Sequence, residues 1–328
     1  MFGVSFIIFG LQMTFSPERR AMVFVSTPQQ AKNIPVLIKK YGFDQPFYKQ
    51  YFTWVKEIGS GHFGYSLVAS SSVWEAFWRY FPITLELNLF ASPFIILFGI
   101  WAGTKAGQKS NTLTDHVTRI FSIIGWSLPT FLFSLILLMI FYGYFRLFPP
   151  GVLGDDLSLL VYSNSGEFTR YTGMLTVDGI LNWRLDVTVE ALKHLVLPVV
   201  TECVVICALL IRVMRSGMLE EMSKDYVITA RAKGADQKTA VLKHARRNAL
   251  IPVITVAGQL VAALMEGSIA VEIIFNRKGL GWWMANSAIQ LDMPVLMSTC
   301  LFLAIVFVMA NLVVDIIYAY VDPRIRLS

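Results

Sequence analysis

Several apolar runs of about twenty residues each constrain this 328-residue chain more than any other feature. A run of that length, coiled as an α-helix, crosses the roughly 30 Å hydrocarbon core of a bilayer. Charged residues make up only 15% of the chain, whereas soluble domains carry about 25%. The sequence therefore predicts an all-α polytopic membrane protein, built as one helical bundle with loops.

Hydropathy predicts about six transmembrane helices. The first lies within residues 1–15 and falls short of a full span, so we expect it to be truncated or completed by another element. The other helices are expected at about 83–103, 117–145, 194–214, 251–271 and 295–320, with a short amphipathic segment at 275–292 before the last. Pro129 should kink the third helix, because proline removes a backbone donor and clashes with the preceding turn.

Polar segments divide the chain further. Residues 16–82 should form an ordered extracytoplasmic segment with a helix around 29–40, and the acid-richer residues 146–193 should form an aqueous cap on the same side. Residues 83–328 then make up the transmembrane core, which contains a loop at 215–252.

The loop is predicted to face the cytoplasm. Between Arg212 and Arg247 the chain has nine basic residues and four acids, and short loops rich in lysine and arginine stay in the cytoplasm. Lys105 and Lys109, in the link between the second and third helices, agree with this orientation. With six crossings, both termini are expected to be cytoplasmic.

The first half of the loop has the pattern of a helix with a small-residue tip. Met218, Met222 and Tyr226 recur every fourth residue and lead to Gly234, which can take the left-handed conformation that ends a helix. Small residues at a turn allow another backbone to approach closely, so the tip suits insertion into a groove on a partner. An ordinary hairpin lying on anionic headgroups is the alternative.

The second half has the pattern of another short helix. Asp236 suits the N-cap position, and the helix should end near Pro252, where the chain re-enters the membrane. The predicted apolar face consists of Val241, Leu242, Ala245 and Ala249.

Two stretches of this loop match a known family. They read DYVITARAKG at 225–234 and HARRNALIP at 244–252. The chain here resembles the coupling loop of ABC importer permeases, most closely those of the dipeptide and oligopeptide family. The similarity covers nearly the whole chain: Tyr41 to Pro46, Gly61 to Ser66, Pro82 to Leu87, Glu272 to Phe275, Gly279 to Gly281, Asp292 to Val295, Asn311 to Asp315 and Asp322 to Arg324.

The resemblance implies a type I ABC importer permease that moves solute by alternating access. It also implies an ATPase-coupling set: Asp225, Tyr226, Ala230, Ala232, Lys233, Gly234, Ala235, His244, Asn248 and Pro252. The expected partners are two ABC ATPase subunits, which bind ATP and Mg, a second homologous permease, an extracytoplasmic solute-binding protein and membrane lipid. The expected location is a prokaryotic inner membrane. The expected cargo is di- and oligopeptides, with oligosaccharides or nickel complexes as alternatives.

Acidic residues inside predicted helices are candidates for the solute path. Glu266 stands where the family usually has small apolar residues, and an acid deep in a membrane helix costs about 2.5–3.5 kcal/mol on insertion scales. A hydrogen bond between helices would explain Glu266 equally well. Glu202 is a weaker candidate, and Glu86 should instead be paired or in contact with water.

The sequence contains no phosphate loop of the form Gly-x-x-x-x-Gly-Lys-[Ser/Thr], no His-Glu-x-x-His and no Gly-x-Ser-x-Gly. We therefore expect a transport subunit with no catalytic residues, no metal and no nucleic acid partner. Cys203, Cys207 and Cys300 are interpreted as packing residues. A passive channel or an ion-coupled carrier is the rival class.

Overall fold

The structure is a computed structural model, and it describes residues 3, 6–7, 9–10, 13–21, 25, 33–43, 45–163, 166–236 and 239–321. The backbone is almost entirely helical, which confirms the all-α prediction. Seven of the fifteen residues of the predicted first helix and all residues after Val321 lie outside the described residues, as does the start of the helix expected at 29–40.

The helices follow one another in this order: α1 Pro17–Ala21, α2 Ile34–Tyr41, α3 Phe47–Gly59, α4 Val73–Gln108, α5 Leu113–Ser127, α6 Thr130–Leu137, α7 Asp155–Tyr162, α8 Leu175–Leu181, α9 Leu185–Met222, α10 Asp225–Ala232, α11 Arg246–Met265, α12 Ile269–Ile274, α13 Leu280–Ile289 and α14 Met293–Val321. A two-stranded antiparallel hairpin, β1 Tyr65–Ser66 and β2 Ser71–Ser72, pairs Tyr65 with Ser72. Two π-helical segments, Leu138–Tyr144 and Ala240–Ala245, extend α6 and precede α11.

Four helical runs in the described residues are long and apolar enough to cross a membrane: α4, α9, Ala240–Met265 and Met293–Val313. The pair formed by α5 and the segment Thr130–Tyr144 makes a fifth if it counts as one broken span. The remaining predicted span, residues 1–15, lies partly outside the described residues. The helices are also longer than predicted. The 38 residues of α9 extend about 57 Å, because helical structure continues through charged residues that hydropathy excludes.

The prediction of a simple kink at Pro129 is wrong. Instead, α5 ends at Ser127 and α6 begins at Thr130, with an angle of 102° between the two segments. Leu128 has an extended backbone, φ −78° and ψ 121°, as is usual for a residue that precedes proline. The helix is therefore interrupted at this point rather than bent.

The chain divides into two compact units. The first comprises Met1–Thr84, Glu266–Ile269 and Lys278–Val306. Its core includes Phe77, Tyr80 and Trp283, and its polar centre is the buried carboxylate of Asp292. Oδ2 of that carboxylate accepts hydrogen bonds from the Ser66 hydroxyl at 2.8 Å and the Val68 amide at 3.1 Å. Burial raises the pKa of Asp292.

The second unit comprises Leu85–Met265, Ala270–Arg277 and Phe307–Ser328. Within it, α4 and α9 approach closely along three glycines spaced four residues apart, Gly99, Gly103 and Gly107. A Cβ atom added at Gly103 would stand 2.6 Å from Cβ of Met214, and Gly99 and Gly107 face Leu210 and Met218 equally closely. Small residues allow this packing between membrane helices. The stripe thus joins α4 to the helix that leads into the loop.

Candidate functional site

The connection between α9 and α10 is where the predicted coupling residues begin. We expected one continuous helix through Met218, Met222 and Tyr226, and this is wrong, because α9 ends at Met222 and α10 starts at Asp225. Lys224 has an extended backbone, φ −76° and ψ 147°. The break turns α10 into a separate helix of eight residues.

One side chain anchors α10 to the bundle. Val227 is only 2% exposed and belongs to a cluster with Met218 of α9 and with Val241 and Ala249 of the following helical run. Burying a valine side chain contributes about 1.5–3 kcal/mol. The contact holds α10 against both helices that flank the loop.

Most of the other residues of α10 and its tip are exposed. Asp225, Tyr226, Arg231 and Ala232 are exposed, Ala230 is half-buried, and the exposed surface continues through Lys233 and Gly234, next to half-buried Ala235. The structure therefore brings seven of the ten predicted coupling residues together on one protruding helix and its tip: Asp225, Tyr226, Ala230, Ala232, Lys233, Gly234 and Ala235.

Gly234 ends α10 in the predicted left-handed conformation, with φ +93°. The Ala235 amide donates to the Ala230 carbonyl at 3.1 Å, and the Gly234 amide donates to the Arg231 carbonyl at 2.9 Å. These two bonds form a Schellman motif, which satisfies the last carbonyls of the helix. A Cβ atom at Gly234 would meet nothing within 4 Å. The space beside the tip is open, so backbone strain is the local cost of a larger residue there.

The second half of the loop differs from the prediction. Asp236 caps it as expected, since its carboxylate accepts the Thr239 amide at 3.4 Å. However, the helix from Ala240 runs on without a break through Pro252 to Met265, so it is not a separate short helix. Leu242 is 42% exposed, against the prediction, whereas the other three residues of the predicted apolar face are buried. The π-helical segment adds a residue to the turn and so changes which side chains face inward.

A hydrogen-bond network joins the two halves of the loop. The Tyr226 hydroxyl donates to Oε2 of Glu221, and Nδ2 of Asn248 donates to the Tyr226 hydroxyl at 3.0 Å. Lys224 pairs with the same Glu221 carboxylate. Desolvation, followed by the bond to Glu221, raises the pKa of Tyr226. Two predicted residues that lie 22 positions apart are thus in direct contact.

The remaining predicted residues lie elsewhere. Pro252 is inside the helical run and exposed to the surroundings. The side chain of His244 lies outside the described residues. Glu221, which the sequence interpretation missed, carried no signal beyond its place among the charges of the loop.

Glu266 is the main correction among the acids. We expected it deep in a helix spanning 251–271, but α11 ends at Met265 and Glu266 is exposed in the turn that follows. Gly267 has φ +91°, a conformation that ends helices. Hydropathy did not detect this break, because apolar residues lie on both sides of it. The placement deep in a helix is therefore wrong, and a role of Glu266 on a solute path stays a prediction.

Glu86 and Glu202 are both buried in the second unit. Glu86 is paired, as predicted: its Oε2 accepts Nη2 of Arg277 at 2.9 Å. Its Oε1 accepts the amide of Thr176 at 2.8 Å and the hydroxyl at 2.9 Å. Such bonding compensates for the removal of two charges from water. Glu202 lies inside α9 at 2% exposure, and its role on a solute path stays a prediction.

The fold and the exposed loop define a class: a multi-span helical membrane protein with a rigidly held helix projecting between two spans. Comparison with known proteins identifies the family. The model of the binding-protein-dependent transport system inner membrane component matches residues 95–327. The chain belongs to this family, which confirms the resemblance to importer permeases and identifies a transport component of an inner membrane.

Several relatives align over most of their length. The di/tripeptide transport system permease of Pseudomonas aeruginosa is 37% identical over 88% of this chain and 84% of its own. The dipeptide permease of Alkalihalophilus pseudofirmus is 32% identical over 99% and 95%. The dipeptide permease of Escherichia coli K12 is 33% identical over 95% and 86%.

Proposed function

We propose that this chain is the permease subunit of an ATP-driven importer for di- and oligopeptides. The family assignment supports import that depends on a binding protein. Relatives of this chain are permeases of dipeptide, di/tripeptide and oligopeptide transport systems, which supports peptides as the cargo. In this proposal a second permease completes the path, and an extracytoplasmic binding protein delivers the peptide.

The proposed coupling element is α10 with the Gly234 turn. The observation that carries this is the contrast between the two sides of α10. Its inner side is fixed through Val227 and the Tyr226 network, while its outer side and tip are exposed. Because α10 is anchored to both α9 and α11, a displacement of α10 moves both of these helices. ATP and Mg would be bound by the two partner ATPases. Their closure displaces α10 and reorients the solute path that the two permeases form together.

The orientation is part of the same proposal. The excess of basic over acidic residues in the loop supports a cytoplasmic position for α10, where the ATPases are. Both chain ends then lie on that side as well. The external cap then includes α7 and α8, on the side from which peptide arrives.

The experiment replaces Gly234 with leucine in the full complex reconstituted with ATPases, second permease and binding protein. We expect peptide uptake and peptide-stimulated ATP hydrolysis to fall at least tenfold, while membrane insertion stays intact. The matched control is Gly166→Leu, at another exposed left-handed glycine, φ +76°, with no neighbour within 4 Å of an added Cβ. That variant has the same backbone strain and should transport normally.

Two outcomes would overturn the proposal. Normal uptake by the Gly234→Leu complex would remove α10 as the coupling element. Uptake by the reconstituted permease without ATPases or ATP would instead indicate a channel or carrier. Uptake of a labelled oligosaccharide or nickel complex, with no uptake of labelled dipeptide, would contradict the proposed cargo alone.

A further inference from the structure

A small basic pocket lies between α5 and α9. Its volume is about 210 Å³. Three arginines, Arg119, Arg212 and Arg215, are among the residues that line it, together with the exposed Ser216. The transport mechanism proposed above uses none of these residues.

The charges in the pocket do not cancel. Arg215 forms two hydrogen bonds with the carboxylate of Asp115, so that pair is neutral. Asp115 also lies one turn before Arg119 on α5. Among the described residues, however, no carboxylate lies within ion-pair distance of Arg119 or Arg212. With three arginines and one carboxylate, the pocket and its border therefore carry an excess of two positive charges.

The pocket lies at the edge of the apolar part of two membrane helices. In α9, residues 195–211 are apolar apart from Thr201 and Glu202 and extend about 26 Å. Arg212 comes directly after this run. In α5, Arg119 comes directly before the apolar residues from Ile120 onward. Both arginines thus stand where headgroups of a bilayer would be, since long basic side chains favour that boundary.

The neighbouring surface is apolar and exposed. Ile120 and Ile123 of α5 are each 57% exposed. The Arg212 guanidinium stands 6.0 Å above the ring of Trp126, which is itself 52% exposed. Tryptophan is enriched at the interface between membrane and water. A ligand that suits both surfaces must carry an anionic group and hydrocarbon chains.

We propose that this pocket binds the headgroup phosphodiester of an anionic phospholipid. Arg119 and Arg212 contact the phosphate oxygens, because guanidinium groups bind phosphate through charge-assisted hydrogen bonds. The acyl chains lie along Ile120 and Ile123. This site is independent of the coupling element, and its test measures lipid binding rather than transport.

The test uses the purified complex in nanodiscs of phosphatidylcholine containing either phosphatidylglycerol or additional phosphatidylcholine. Native mass spectrometry counts the lipids retained, and a thermal melt measures protection. Near a membrane surface, the attraction of two basic residues for an anionic lipid corresponds to about a 30-fold preference for phosphatidylglycerol over phosphatidylcholine. We expect the wild type to retain phosphatidylglycerol with that preference and Arg119→Gln/Arg212→Gln to lose it.

Two variants control for charge and folding. Lys109→Gln removes a positive charge from the exposed link just before α5 and should keep the preference. Arg119→Lys/Arg212→Lys keeps both charges and should retain most of it, which separates loss of the site from misfolding. An unchanged preference in the glutamine double variant would overturn the proposal. So would protection by inorganic phosphate in pure phosphatidylcholine nanodiscs combined with none by phosphatidylglycerol, since the site would then take a free anion.

Discussion

Arg215 of α9 and Asp115 of α5 form a bidentate ion pair, with Nε to Oδ1 at 2.5 Å and Nη2 to Oδ2 at 2.8 Å. The Asp115 side chain is completely buried, while that of Arg215 keeps 21% of its exposure. The same carboxylate accepts the Asn111 amide at 3.0 Å. The pair therefore fixes the start of α5 against the helix that leads into the coupling loop.

Replacing Asp115 with asparagine should destabilise the protein by about 2–3 kcal/mol. Breaking a fully buried pair costs about 3–5 kcal/mol, and the residual exposure of Arg215 lowers that figure. Thermal unfolding of the purified protein measures the loss. The matched control is Asp186→Asn, which breaks a bidentate pair with Arg184 whose side chains are 49% and 34% exposed. It should cost under about 1 kcal/mol, and equal losses in the two variants would contradict this account.

The close contact of Gly99, Gly103 and Gly107 of α4 with α9 predicts that a larger residue at these positions destabilises the protein. At Gly103→Ala the added methyl group would meet the Met214 side chain and the Ile211 carbonyl at under 3 Å. We expect destabilisation of about 1–3 kcal/mol and a larger loss for Gly103→Leu. In Gly59→Ala, at the end of α3, the methyl group meets nothing within 4 Å and the melting temperature should not fall. Wild-type stability of Gly103→Ala would show that α4 and α9 do not pack this closely.

The contact between Tyr226 and Asn248 can be measured by a double-mutant cycle. Tyr226→Phe and Asn248→Ala each remove one side of the hydrogen bond, and both residues are exposed. The coupling energy should therefore be about 0.5 kcal/mol, the low end for a hydrogen bond. Asn182 bonds to Thr169 and Asp178, neither of which bonds to Tyr226, so Asn182→Ala combined with Tyr226→Phe should be additive. Additivity in both cycles would contradict the network.

The buried carboxylate of Asp292 should make the stability of the protein depend on pH. Burial raises its pKa above the ordinary value of 3.8, so the folded state holds the proton more tightly than the unfolded state. The stabilising contribution is complete below about pH 3.8 and is lost as pH rises through the folded pKa. Asp292→Asn removes this dependence, and its stability relative to wild type should improve as pH rises from about 4 through the folded pKa and then level off.

Glu18 supplies the opposite control. A hydrogen bond from the Ser16 side chain lowers the pKa of the Glu18 carboxylate. The contribution of Glu18 to stability is therefore present above the unfolded pKa and is lost as pH falls. Relative to wild type, Glu18→Gln should therefore lose stability as pH rises, to a small extent at this exposed site. Thermal melts across the pH range measure both differences, and a stability difference between Asp292→Asn and wild type that does not change with pH would contradict the burial of that carboxylate.

Features determined by neighbouring residues could be predicted from the sequence. Gly234 was predictable because a left-handed glycine after a helix is local chemistry, and Asp236 was predictable because a cap bonds to residues three positions away. The stripe of Gly99, Gly103 and Gly107 was equally readable, as a repeat of small residues within a membrane helix, although the sequence interpretation did not use it.

Features determined by distant partners could not be predicted in this way. The pairs Glu86 with Arg277 and Asp115 with Arg215 join residues 191 and 100 positions apart, and no periodicity connects them. The end of α11 before Glu266 was missed for another reason. The apolar pattern continues across Gly267, and hydropathy measures transfer from water rather than backbone conformation.

The central claim is that the tip of α10 contacts an ATPase subunit, and cross-linking measures it most directly. A photo-reactive amino acid replaces the exposed Ala232 in the assembled complex, and one at Leu159, which is 72% exposed in the external cap, serves as the control. We predict an adduct with the ATPase subunit from position 232 and none from position 159. Adducts from position 232 with lipid alone would contradict the claim, because α10 would then lie on the membrane surface.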